Sequence, residues 1–163
     1  MATLSAEIIE ALGDPNTARV LTTTHRDGIP HAVFADWLVA PDPNTLAYLE
    51  PFELSRTSAN LLHHLWDKSR VSIALLNADR QIRCEISCTV KRIVSEGPLW
   101  DQLLRRAWNA VPDVNPSGLW LITPEKVTDQ SYPAALAEMG ERRENFTLWW
   151  SYMGEHEPAP EGS

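Results

Sequence analysis

The stretch from Asn44 to Leu65, NTLAYLEPFELSRTSANLLHHL, reads as a strand, a short loop and a capped helix. Thr45-Leu46-Ala47-Tyr48-Leu49 has the β-branched start and the aromatic near its end that suit a strand. Pro51 ends it, because proline has no N–H to give to a ladder. Ser55 sits where an N-cap belongs, and Ala59 to Leu65 continues with apolar residues at helical spacing. At that helix start, Ser55, Arg56 and Thr57 bring together unpaired backbone N–H groups, two hydroxyls and a guanidinium. This is the donor set of a phosphate seat. It is also an ordinary helix start, since serine and threonine cap many helices. On these three residues alone capping is the stronger reading, and the neighbouring segments must decide.

Upstream, Ala18 to Thr24 is a strand, and His25-Arg26-Asp27-Gly28-Ile29-Pro30 is a turn built on Asp-Gly, a strong hairpin signal. His31 to Ala40 is the return strand. Val33, Ala35, Trp37 and Val39 share one face, and Ala32, Phe34, Asp36 and Leu38 the other. Asp36 is the misfit: either a strand-edge carboxylate bonded locally or, with Trp37, part of a pocket wall. Pro41-Asp42-Pro43-Asn44 turns the chain into the central strand. Near the N-terminus, Leu4 to Leu12 reads as a helix with Ser5 as N-cap, Leu4 and Ile9 as a hydrophobic staple and Gly13 at C′.

Downstream, Arg70 to Leu76 is a strand and Asn77-Ala78-Asp79 a turn. Gln81 to Ser95 is the longest strand, with Ile82, Cys84, Ile86, Cys88 and Val90 on one face. The apolar phase then slips to Ile93, which predicts a bulge near Lys91-Arg92. Pro98 to Ala110 is a helix with proline in its first turn and a stripe of Leu99, Leu103, Leu104 and Trp108. Pro112 to Gly118 is a loop, Leu119 to Thr123 a buried strand, Val127 to Tyr132 a last strand and Pro133 to Arg143 a final helix. Phe146 to Met153 is an aromatic segment that needs burial, and residues 154–163, rich in Pro and Glu, read as a disordered tail. Runs of antiparallel hairpins with flanking helices predict a mainly β, barrel-like fold. One domain spanning residues 1–153, with a helical and aromatic C-terminal extension, accounts for the rest.

Composition narrows the function. A net charge of −8, with the basic residues scattered, argues against a nucleic-acid partner and against a membrane surface. The N-terminus lacks a cationic region and a long apolar run, so a cytoplasmic protein is expected. Cys84 and Cys88 point the same way from one strand, roughly 13 Å apart at about 3.3 Å per residue, too far for a disulfide. No Cys/His spacing fits a zinc site, although a single histidine could still ligate haem. No phosphate-binding Gly-rich loop and no G-x-S-x-G elbow is present. Trp37 and Trp120, among seven tryptophans, could stack on a planar ring; for Trp120 core packing is the stronger reading.

Three segments then carry a resemblance: the hairpin ARVLTTTHRDGIPHAVFADWLVA, the run LSRTSANLLHH, and the strand and helix IRCEISCTVKRIVSEGPLWDQLLRRAW. Over roughly Leu12 to Ser131 the chain resembles the split-barrel flavoproteins related to pyridoxamine 5′-phosphate oxidase, above all their small bacterial FMN-binding members. The resemblance implies an antiparallel split β-barrel of the FMN-binding type. It implies that Arg56 pairs with the FMN phosphate while Ser55 and Thr57 donate hydroxyl bonds. The ribityl and ring are expected along Phe34, Ala35, Asp36 and Trp37 and along Tyr48 and Leu49. It implies a homodimer with flavin at the interface, and an FMN-dependent oxidoreductase that meets a small-molecule substrate or redox partner. The rival is a non-catalytic module that carries electrons or binds flavin or haem. A deazaflavin F420 site is disfavoured, since its acidic tail wants a basic groove and the chain has three lysines. The chain also departs from the oxidases. Arg56-Thr57 stands in place of their Arg-Lys, Cys88 in place of a common glycine, and their Arg-x-x-x-Leu-Lys and C-terminal Arg-Leu-His-x-Arg runs are missing. The missing basic runs bind the substrate phosphate in the oxidases, so their absence argues against vitamin B6 oxidation.

Overall fold

A computed structural model describes residues 2–140 of the chain. The chain divides into two units, Met1–Asp129 and Gln130–Ser163. The first is built in the order α1 (Ala6–Gly13), β1 (Ala18–Thr24), β2 (Pro30–Phe34), β3 (Leu38–Asp42), β4 (Thr45–Leu49), α2 (Arg56–Asp67), β5 (Arg70–Asn77), β6 (Ile82–Val94), α3 (Pro98–Ala110) and β7 (Leu119–Asp129). The seven strands form one antiparallel sheet in the order β2-β1-β5-β6-β7-β4-β3.

That order requires curvature. β2 and β3 are consecutive in the chain yet lie at opposite edges of the sheet. A flat sheet of this width would separate its edges by about 29 Å at about 4.8 Å per strand. The link from Phe34 to Leu38 can span only about 14 Å. The sheet therefore curls until its edges approach each other, which is the split-barrel shape expected from the sequence. Two register shifts on β6 against β7, between Ser87 and Cys88 and between Val90 and Arg92, add local twist. The second is the bulge predicted near Lys91-Arg92.

The return strand expected over His31 to Ala40 is in fact two strands. Ala35 N donates to Arg19 O, prolonging the pairing with β1, and Leu38 N then donates to Ala35 O to close a turn at Asp36-Trp37. Beyond that turn the chain pairs with β4 instead. The two strands expected at Leu119 to Thr123 and Val127 to Tyr132 are one, β7. Pro124 is tolerated inside it because β4 pairs only with residues 119–122, so Pro124 lies beyond the doubly paired stretch. β6 starts at Ile82, one residue later than expected, because Gln81 adopts a left-handed turn at φ 54°. Gly13 ends α1 as a helical residue, with Asp14 capping in an extended conformation. Gly28, at φ +86°, closes the β1–β2 turn as Asp-Gly predicts.

Apolar burial falls into two clusters. The larger includes Leu12, Leu21, Leu38, Leu61, Ile73, Ile86 and Trp120, with Cys84 and Cys88 among them as free thiols. The smaller packs Leu103 and Ala107 of α3 onto Ala47, Leu49 and Leu119. β4 is buried on both faces, Leu46 and Tyr48 toward the first cluster, Ala47 and Leu49 toward the second. The stripe expected to include Trp108 is centred on Leu103 and Ala107 instead. Trp108 is half exposed and donates from Nε1 to Val114 O.

In the second unit, residues 132–140 are helical and begin behind Ser131, whose Oγ accepts from Ala134 N. The expected helix through Arg143, the aromatic segment Phe146 to Met153 and the tail 154–163 lie partly or wholly outside the described residues.

Candidate functional site

α2 begins as the sequence predicts. Ser55 is its N-cap, accepting from Ser58 N at 2.9 Å through Oγ and from Ala59 N at 3.2 Å through its carbonyl. The N–H groups of Arg56 and Thr57, at the first two helical positions, have no intrahelical acceptor. Arg56 is exposed and makes no ion pair among the described residues. The helix start thus offers a guanidinium, free N–H groups and hydroxyls at one point, which is what a phosphate needs.

This point lines a groove of about 330 Å³, together with His31, Val33, Phe34, Trp37, Tyr48, Glu50, Pro51 and Phe52. β2, the Asp36-Trp37 turn, the end of β4 and the loop into α2 supply its lining. That loop is held by backbone pairing to a distant segment: Glu53 N donates to Asn115 O and Asn115 N to Pro51 O. A second, smaller space of about 130 Å³ is lined by Arg56 with His25, Asp27 and Ile29. There the bond from Ile29 N, with His25 beside it at 2.9 Å, holds the Asp27 carboxyl below the usual carboxylate range.

Six of the nine residues singled out from the sequence line the groove together: Phe34, Trp37, Tyr48, Ser55, Arg56 and Thr57. Three do not. Leu49 points away from Tyr48 into the second core cluster, because successive strand residues face opposite sides. Ala35 is fully buried in the first cluster. Asp36 is exposed in the turn and is not among the lining residues.

The groove also contains polar groups the sequence did not single out. His31 Nε2 lies 3.1 Å from Thr57 Oγ1. Tyr48 Oη donates to Glu50 Oε2 at 2.8 Å, and Phe52 N donates to Glu50 Oε1 at 3.3 Å. Burial, reinforced by the Glu50 carboxylate, pushes the Tyr48 phenol well above its usual range, so it remains a neutral donor. Phe34 and Phe52 stand at the mouth, 75% and 52% exposed. The available signal was Glu50 itself, a carboxylate directly following an apolar strand.

Beneath the site, Asn60 Nδ2 donates to Thr23 Oγ1 at 3.0 Å and His64 Nε2 accepts from Thr24 N at 2.9 Å, so two buried side chains of α2 lock the helix to β1. No group of three or more His, Cys, Asp or Glu among the described residues is placed to hold a metal ion. No helix among them is long and apolar enough to cross a membrane.

A model of the pyridoxamine 5′-phosphate oxidase family matches residues 4–131, and the chain belongs to that family. No curated protein matches. Among solved structures, the HupZ protein of Group A Streptococcus superposes with a TM-score of 0.61 at 18% identity, over 79% of this chain and 95% of its own. An FMN-binding protein from Syntrophomonas wolfei gives 0.57 at 15% identity, over 75% and 87%. HutZ, the heme storage protein of Vibrio cholerae, gives 0.52 at 18% identity, over 78% and 94%. These likenesses establish the split-barrel fold.

Proposed function

We propose that this protein is an FMN-binding flavoprotein that serves as an oxidoreductase. The observation that carries the reading is the convergence of Ser55, Arg56 and Thr57, with the free N–H groups of the α2 start, in the lining of an aromatic-lined groove. Membership of the family and the likeness to an FMN-binding protein support it.

In this reading Arg56 holds the FMN phosphate as a charge-assisted pair, and Thr57, Ser55 and the two N–H groups complete the seat. Trp37, Tyr48 and Phe34 form the apolar, ring-facing wall. When bound, the flavin supplies hydride or electron transfer, and the protein supplies position and field. The groove is open, with Phe34 and Phe52 exposed at its mouth. A homodimer with the flavin at the subunit interface would cover that mouth, and a small-molecule substrate or a redox partner would meet the ring there. The carrier alternative shares the same binding chemistry and separates from the enzyme reading by turnover: a carrier holds FMN but oxidises no small donor at a catalytic rate.

The test is Arg56→Ala. Purified variant and wild type are compared for flavin content and for FMN affinity by fluorescence quenching. Loss of at least about tenfold in affinity, equivalent to about 1.4 kcal/mol, is expected. Unchanged flavin content would remove Arg56 from the seat and the reading with it.

A further inference from the structure

The groove holds one charged side chain to which flavin binding assigns no role. Glu50 follows directly on β4, is 5% exposed and lines the groove. Its two oxygens accept from Tyr48 Oη and from Phe52 N. Both donors are neutral, and no arginine, lysine or histidine pairs with Glu50 among the described residues. A buried carboxylate bonded only to neutral donors keeps its field in the space it faces. Tyr48 spends its only proton on Glu50, so its oxygen has only lone pairs left to offer.

The start of α2, which lines the same groove, is opposite in kind. Arg56 and the first N–H groups of the helix offer donors and positive potential. The groove is therefore lined by donors at the α2 start and by acceptors at Glu50 and Tyr48. A ligand that reaches both must place an anion at Arg56 and hydrogen-bond donors without negative charge along Glu50 and Tyr48.

We propose that Glu50 is a specificity-determining residue: it restricts the groove to phosphomonoesters whose remaining polar groups are hydroxyls, N–H groups or cations, and it rejects ligands that carry a second anion. The inference deepens the flavin reading and rests on the same phosphate seat. A polyol phosphate attached to a neutral ring satisfies both sets. A ligand with two carboxylates satisfies one set and is repelled by the other.

The test uses two small probes of equal length, ribitol 5-phosphate and 5-phosphoribonate, which differ by one terminal carboxylate. The full-length wild type should bind the first at least about tenfold more tightly in a calorimetric or NMR titration. E50Q should shrink that preference to less than about threefold, chiefly by binding 5-phosphoribonate better. Y48F keeps the charge and removes the neighbouring phenol, so the preference survives in it. Equal affinities in the wild type, binding of neither probe, or a preference that E50Q leaves intact would each overturn the proposal. Should E50Q fail to fold, Glu50→Ala takes its place in the same comparison, with the same loss of preference expected and the same overturning result. Neither probe contains a ring. A protein that shows the preference but takes up no FMN keeps this inference and loses the flavin reading; one that takes up FMN without the preference does the reverse.

Discussion

His31 Nε2 and Thr57 Oγ1 meet at 3.1 Å, so one hydrogen bond ties β2 to the first turn of α2 at the seat of the groove. Thr57 is 2% exposed, which leaves its hydroxyl few other partners. If the imidazole N–H donates to Thr57, the threonine proton is free to be donated onward to an anion. His31→Ala should therefore weaken FMN binding by about fivefold, the value of one net hydrogen bond near 1 kcal/mol. His31→Gln, which can still donate, should recover most of it. Equal losses in both variants would assign His31 to packing alone.

Ser55 and Arg56 are adjacent but should separate in their effects. Ser55 Oγ caps Ser58 N at 2.9 Å. Ser55→Ala should cost about 1 kcal/mol of stability, and Tm should fall by about 2–4 °C for a chain of this size. Arg56, exposed and without an ion pair among the described residues, should change stability by less than about 0.5 kcal/mol when replaced by alanine. Thermal melts of the two variants in the absence of FMN check this. An unchanged Tm in Ser55→Ala would contradict the capping geometry.

Acid should loosen the join between α2 and β1. His64 Nε2 accepts from Thr24 N, so that nitrogen is bare and Nδ1 carries the proton toward Ser69 Oγ at 2.6 Å. Burial, with His63 beside it, holds His64 below its usual pKa, against a smaller opposing pull from Asp67. The unfolded chain then binds a proton more readily than the folded one. Stability is whole above about pH 7 and is lost as pH falls through about 6.5 toward the lower folded value. The urea midpoint should drop between pH 7.5 and 5.5 in the wild type and drop less in His64→Gln. Parallel slopes would assign the acid sensitivity elsewhere.

How far these features were legible differs from residue to residue. The Ser55 cap and the bulge near Lys91-Arg92 are local events, one fixed by a hydroxyl before a helical run and the other by a slip in apolar phase, and both stand in the structure. The break at Ala35 to Trp37 was not legible, because apolar alternation continues across it. A period of two shows which face is buried but not that the chain has changed partner from β1 to β4. The resemblance sets both Tyr48 and Leu49 along the flavin, whereas strand alternation sends Leu49 to the core cluster with α3. Glu50 beside Pro51 looks like an ordinary turn residue. Its burial depends on a loop pinned to Asn115, a contact no local pattern encodes. The strand expected to end at Thr123 runs on through Pro124, and only the extent of β4 explains why.

The absorption spectrum of the purified protein, before and after addition of FMN and gel filtration, tests the central claim most directly. Bands near roughly 370 and 450 nm, retained through the column at close to one flavin per chain, are predicted; the chromophore is the cofactor's own. A colourless protein that retains no added FMN, or one with a sharp Soret band near roughly 400 nm in its place, would contradict the account.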